Sequence, residues 1–172
     1  MKFSQLLEFP YGSDGSIDLP AILETLPGTP RDVAQQFLSD HGRKSVFQDQ
    51  YASLDLSLID WSLEEIEAYS LLEASIYPRN HRWVESVGKR LEDFHAKSWA
   101  CIDSRRTVCQ QWATSRTWLI PPIFLDGIGP AASNRLHLVE GHTRVGLLAG
   151  LVQRAIVPAN SKHQAWVGRR FS

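Results

Sequence analysis

The stretch Leu136-His137-Leu138-Val139-Glu140-Gly141-His142-Thr143-Arg144 decides how this chain is read. Leu136 to Val139 has the composition of a short strand, and Gly141 supplies the conformational freedom of a tight turn. Val145, Leu147, Leu148, Leu151 and Val152 then continue as a helix apolar nearly all round, with Gly146, Ala149 and Gly150 small enough for close packing. The pattern is therefore strand, glycine, buried helix. A helix amino end carries unpaired backbone N–H groups and about half a unit of positive charge, which suits a phosphate. Thr143 adds a hydroxyl, His142 a donor that can charge near neutral pH, and Arg144 a permanent planar fork. An arginine in the first helical turn opposes the helix dipole unless an anion is there, so Gly141, His142, Thr143 and Arg144 are the candidate phosphate-binding residues.

Upstream, Trp118-Leu119-Ile120-Pro121-Pro122-Ile123-Phe124-Leu125 is an apolar run whose two prolines cannot donate ladder hydrogen bonds, so an extended or edge strand is expected. Gly127 to Asn134 reads as a loop. Trp83, Val84, Val87, Leu91 and Phe94 fall at helical spacing after Tyr77-Pro78-Arg79, and a second helix follows Asp103-Ser104, with Val108, Cys109 and Trp112 facing inward. Downstream, His163 to Val167 reads as a closing strand.

Residues 1–55 read as a mostly helical extension. Its clearest helix runs from Pro30 to His41, with Thr29 as cap, Gly42 as terminator, and Val33, Phe37 and Leu38 as apolar stripe. From Leu54 to Ile66 an alternating pattern with a change of phase reads as a strand. The expected architecture is α+β: a small mixed sheet with packed helices over residues 56–172, preceded by that extension.

The chain has 172 residues, 43% hydrophobic and 22% charged, a globular composition with enough length to bury a core without disulfide or metal. Two cysteines without secretory context, and a start that meets Glu8 and Pro10 too early for a signal-peptide core, lead to the expectation of a reduced, cytoplasmic protein. No run approaches the roughly 18 apolar residues of a membrane span, so no membrane partner is expected. The net charge of −1 conceals an asymmetry: residues 1–100 hold 9 basic and 16 acidic side chains, the remainder 9 and 3. That basic second half can face an anion or the acidic first half. Arg105-Arg106 and Arg169-Arg170 read as a solvated face or as part of a nucleic-acid or polyphosphate groove. The six tryptophans read as core, and the histidines lack the paired spacing of a metal site, so no structural zinc is expected.

The order Tyr77-Pro78-Arg79, an amphipathic helix, Pro121-Pro122-Ile123-Phe124-Leu125, then Leu138-Val139-Glu140-Gly141-His142-Thr143-Arg144 and a closing strand near Trp166 resembles the ParB/sulfiredoxin-like domain, over roughly residues 56–170. In that superfamily a Gly-x-x-Arg turn holds nucleotide phosphates. Members include chromosome-partition nucleotide switches, sulfiredoxin and kinases of free serine. The resemblance implies that Gly141 and Arg144 form the turn and that Arg79 assists from a Pro-Arg pair. No cysteine precedes the turn, which argues against sulfinic acid reduction. The Gly-His-Thr-Arg form and the missing helix-turn-helix argue against sequence-specific partition.

The Glu-Gly-His form is nearest the small-molecule kinase variant, where Glu140 would act as base, although a carboxylate in such a place is more often the salt-bridge partner of a nearby arginine. The implied function is binding of a nucleotide with Mg²⁺, or another phosphate-bearing ligand, extending to an ATP- or ADP-dependent small-molecule phosphotransferase. The contrasting expectation is a non-catalytic module binding DNA or a protein partner through the basic face.

Overall fold

The computed structural model describes residues 1–130 and 136–171. Its elements run α1 (Leu19–Thr25), α2 (Arg31–Val33), α3 (Ser45–Tyr51), β1 (Ile59–Glu67), α4 (Ala68–Leu72), α5 (His81–Lys89), α6 (Phe94–Lys97), α7 (Arg106–Ser115), β2 (Ile123–Asp126), β3 (Leu136–Glu140), α8 (His142–Gln153) and β4 (Lys162–Arg170). The class is α+β with a four-stranded mixed sheet in the order β1-β4-β2-β3. Of the loop expected over Gly127 to Asn134, residues 131–134 lie outside the described residues.

Two compact units divide the chain: Met1–Leu63 with Ile123–Glu140 and Trp166–Ser172, and Glu64–Pro122 with Gly141–Ala165. In the first, β2 pairs antiparallel with β3, Phe124 opposite Leu138 and Asp126 opposite Leu136, and parallel with β4, Phe124 opposite Val167. The register slips between Ile123 and Phe124, so that Glu140 comes opposite Ile123. β2 is thus an interior strand, not an edge. It can be, because the ladder begins at Ile123, just beyond the two residues that lack an N–H.

The amino-terminal helices belong to the same core as this sheet. Phe3 stacks on Phe37 at 5.1 Å, Tyr51 meets Phe37 edge-on at 5.3 Å, and the cluster continues into Ile123, Leu125 and Val139. The sequence boundary at residues 55/56 therefore falls inside this unit's chain, not between the two units. Val33, Phe37 and Leu38 are buried, as their spacing predicts. The helix carrying them is capped at Pro30 instead of Thr29, whose own N–H is used in a turn onto Leu26, and it widens into π-helical turns over Ala34–Ser39. β1 starts at Ile59 because the Asp55 carboxylate accepts the Ser57 backbone N–H at 3.2 Å and its hydroxyl at 2.7 Å, holding Leu56–Leu58 in a 3-10 turn.

In the second unit α5 crosses α8 at glycines: a Cβ on Gly146 would lie 2.7 Å from the Val84 carbonyl oxygen, and one on Gly150 would lie 3.0 Å from Gly88 Cα. The expected long helix after Tyr77 is broken, with a 3-10 segment over Arg90–Asp93 between α5 and α6. α7 starts at Arg106, because Asp103 is occupied with the Arg105 N–H and guanidinium. Trp112 and Trp118 are buried edge-to-face at 6.1 Å, and the Trp118 indole donates to the Gln164 carbonyl at 2.7 Å. Among the described residues no helix is long and apolar enough to cross a membrane.

Each unit buries one histidine, His137 in the first and His163 in the second, and burial pushes both imidazoles below their ordinary range. The folded form then resists a proton that the unfolded chain accepts at about pH 6.5, so this contribution is complete above that pH and is lost as pH falls toward the folded-state value. The urea midpoint is expected to fall between about pH 7.5 and about pH 5, with a flatter profile in His163→Gln. Equal slopes in parent and variant would remove His163 from the effect.

Candidate functional site

The second unit contains the turn. Gly141 caps α8 in the left-handed region, φ 104°, a conformation that strains any residue with a Cβ. A Cβ there would also lie 2.5 Å from Pro122 Cβ, so the glycine serves turn geometry and contact with Pro122 rather than clearing space for an anion. A glycine cap has no side chain with which to accept from the first-turn N–H groups, and α8 is 12 residues long, so its amino end has the full partial charge of a helix terminus.

Three side chains follow. His142 Nε2 lies 2.9 Å from Asn80 Nδ2; an amide nitrogen donates, so Nε2 accepts and the neutral ring carries its proton on Nδ1. The Thr143 hydroxyl oxygen accepts from the Trp83 indole N–H at 3.2 Å, and the hydroxyl keeps its own O–H as a donor. Arg144 donates through Nη1 to the carbonyls of Ile120 at 2.8 Å and Pro121 at 3.3 Å. Those carbonyls offset the unfavourable position of a cation in the first turn, so its presence there does not by itself require an anion.

Asn80 and Trp83 are the residues that sequence pattern missed. Trp83 fits the apolar stripe by spacing, yet its ring is 50% exposed, with its edge fixed on Thr143 and the Arg90 guanidinium 5.7 Å from the ring centre. A polar partner for the indole is the signal that helical spacing cannot carry. Arg79 is exposed in the 3-10 turn Pro78–Asn80, next to the residue that bonds His142. Asn80 thus holds the end of the Pro78–Asn80 turn against the first residue of α8.

Glu140 belongs to the first unit, where its partner is a histidine. Lys44 Nζ donates to His41 Nδ1 at 2.7 Å, which leaves the Nε2–H of His41 to donate to Glu140 Oε2 at 3.1 Å. Phe47 stacks on the same imidazole at 4.4 Å. Nearby, the Tyr51 phenol meets His137 Nε2 at 3.0 Å, and burial with the Glu140 charge pushes that phenol far above its ordinary range. Glu140 thus accepts a hydrogen bond from a neutral imidazole of its own unit.

Cys101 and Cys109 are free, half-buried thiols, and desolvation pushes Cys101 up, away from the thiolate. Among the described residues no three His, Cys, Asp or Glu side chains gather as a metal site. The donor set at α8, backbone N–H groups with hydroxyl and cationic side chains, suits the oxygens of an anion rather than a bare cation. No protein-family model, no curated protein and no solved structure matches this chain.

Proposed function

We propose that the unit formed by Glu64–Pro122 and Gly141–Ala165 binds a nucleotide, with Mg²⁺, or another phosphate-bearing ligand at the amino end of α8, in the manner of ParB/sulfiredoxin-like domains. One observation carries this reading: a left-handed glycine opens a full-length helix whose end is joined by Asn80 and Trp83 to the turn bearing Arg79. Gly141 and His142 supply backbone donors, Thr143 an O–H, and Arg79 and Arg144 positive charge. The exposed, edge-fixed indole of Trp83 favours a ligand that also carries an aromatic base, since a ring held in place loses little freedom on stacking.

The test is a thermal-shift panel of nucleoside mono-, di- and triphosphates with and without Mg²⁺. A ligand at about 100 times its dissociation constant stabilises by about 2.7 kcal/mol, a shift of about 5 to 10 °C for a chain of this size. Thr143→Val is the sharper variant, because it costs one indole hydrogen bond, about 1 kcal/mol, whereas truncating Arg144 removes bonds to Ile120 and Pro121 whether or not a ligand is present. The ligand-induced shift is expected to fall to half or less of the parent's in Thr143→Val and to shrink in Arg79→Gln. Strongly salt-dependent binding to arbitrary duplex DNA, with no response to any nucleotide, would replace this reading with that of an interaction module.

A further inference from the structure

The first unit contains a groove that the phosphate reading does not use. Its volume is about 360 Å³, within the range of small-ligand sites, and its lining is split by chemistry. Leu54, Leu58, Ile59 and Ile128 give it an apolar wall, and Lys2 and Arg170 stand on it as cations. Leu54 is buried and Ile59 half-buried, so the wall is part of the folded core and not a loose loop surface. The Phe171 N–H donates to the Leu58 carbonyl at 2.8 Å, which fixes the end of β4 that carries Arg170.

The charge balance of the groove is unequal. Its one carboxylate, Asp55, is already committed: Oδ1 accepts from the Met1 amine at 2.9 Å and from the Ser57 hydroxyl at 2.7 Å, and these contacts hold it well below the usual carboxylate range. Lys2 reaches Asp55 only at 3.7 Å, beyond hydrogen-bond distance. Among the described residues the exposed Arg170 guanidinium has no hydrogen-bond or ion-pair partner. An apolar wall beside under-neutralised cations is complementary to a molecule with an aliphatic body and one anionic head.

We infer that this groove is a binding site for a small amphipathic carboxylate, an unbranched aliphatic chain ending in one carboxylate, with the chain on Leu54 and Ile59 and the carboxylate between Lys2 and Arg170. Arg170 is the better partner, because its planar fork matches the two carboxylate oxygens. The site lies wholly within the first unit and does not rest on the phosphate reading.

The test is calorimetric titration of the full chain with acetate, hexanoate, octanoate and octan-1-ol. Each methylene that enters the groove tightens binding about threefold to fourfold, so octanoate is expected to bind about tenfold more tightly than hexanoate, and acetate not measurably. Octanoate is expected to bind at least about tenfold more tightly than octan-1-ol, the increment of a charge-assisted pair. Arg170→Gln removes that increment and leaves octan-1-ol unchanged. Ser53→Trp, a substitution at an exposed position on the rim, fills the groove and abolishes both. Thr143→Val, in the other unit, leaves octanoate binding unaltered, so the two sites fail or stand separately. Equal affinity for octanoate and octan-1-ol, or octanoate binding unchanged in Arg170→Gln or in Ser53→Trp, would overturn the proposal.

Discussion

Gly146→Val is expected to leave the unit of Glu64–Pro122 and Gly141–Ala165 without a stable fold. Helix propensity predicts the opposite sign, since glycine inside a helix is about 1 kcal/mol worse than alanine. The neighbours decide the matter. A Cβ at this position would sit 2.7 Å from the Val84 carbonyl oxygen and 3.1 Å from Val87 Cβ, and a carbonyl within α5 cannot rotate away as a flexible side chain can. Overpacking of this kind costs about 1 to 3 kcal/mol for the first added carbon, and the two further methyl groups of valine enlarge it. Gly146→Ala should therefore lose about 0 to 2 kcal/mol net, and Gly146→Val a large part of the 5 to 15 kcal/mol by which a domain is typically stable. Gly28→Ala is the matched control, because a Cβ there meets nothing within 4 Å and its φ lies outside the left-handed region. It should be neutral or gain about 0.5 kcal/mol. Urea unfolding of the three variants reads the ranking, and a Gly146→Val chain as stable as the parent would show that α5 and α8 can separate without cost.

The same crossing shows what was legible in the sequence and what was not. Small residues at Gly146, Ala149 and Gly150 on an otherwise apolar helix indicate close approach of a neighbour, and that neighbour is α5. Strand β3, the turn at Gly141 and the start of α8 follow directly from the local residues, because an apolar run, a glycine and a buried helix each have a short-range signature. Elements failed where a long-range or side-chain bond overrules periodicity. Asp55 binds Ser57 and delays β1, and the cap falls at Pro30, one residue past the Thr29 that residue type favours. The prolines place β2 within the sheet by standing outside its ladder. At the candidate site the pattern found Gly141 to Arg144 but not Asn80 and Trp83, since an Asn after Pro-Arg and a Trp on a helical stripe carry no mark of what they touch. His41 was equally hidden, 99 residues from the Glu140 it bonds.

On the phosphotransferase reading, Glu140→Gln separates binding from group transfer. Glu140 immediately precedes the turn in sequence, and its carboxylate accepts from the His41 Nε2–H, with Lys44 holding the far nitrogen of that ring. A glutamine keeps the size and can accept the same bond through its amide oxygen, so the fold of the first unit and the His41 contact are expected to persist, with a stability change within about 1 kcal/mol. What is lost is the negative charge and the capacity to take a proton. If Glu140 is the base that receives the proton of an acceptor hydroxyl as that oxygen displaces ADP from the terminal phosphoryl group of ATP, or AMP from that of ADP, turnover is expected to fall about 100- to 10,000-fold. Nucleotide affinity is expected to hold, since no donor of the proposed phosphate site is altered. The assay is phosphate transfer from ATP or ADP to a panel of small hydroxyl compounds including free serine, run beside the nucleotide thermal shift on parent, Glu140→Gln and His41→Gln. Loss of turnover with binding retained in Glu140→Gln, and a smaller loss in His41→Gln, identifies the carboxylate as the base and the histidine as the group that positions it. Unchanged turnover in Glu140→Gln removes Glu140 from the chemistry, and a parent that binds nucleotide without transfer across the panel makes the domain a binding module.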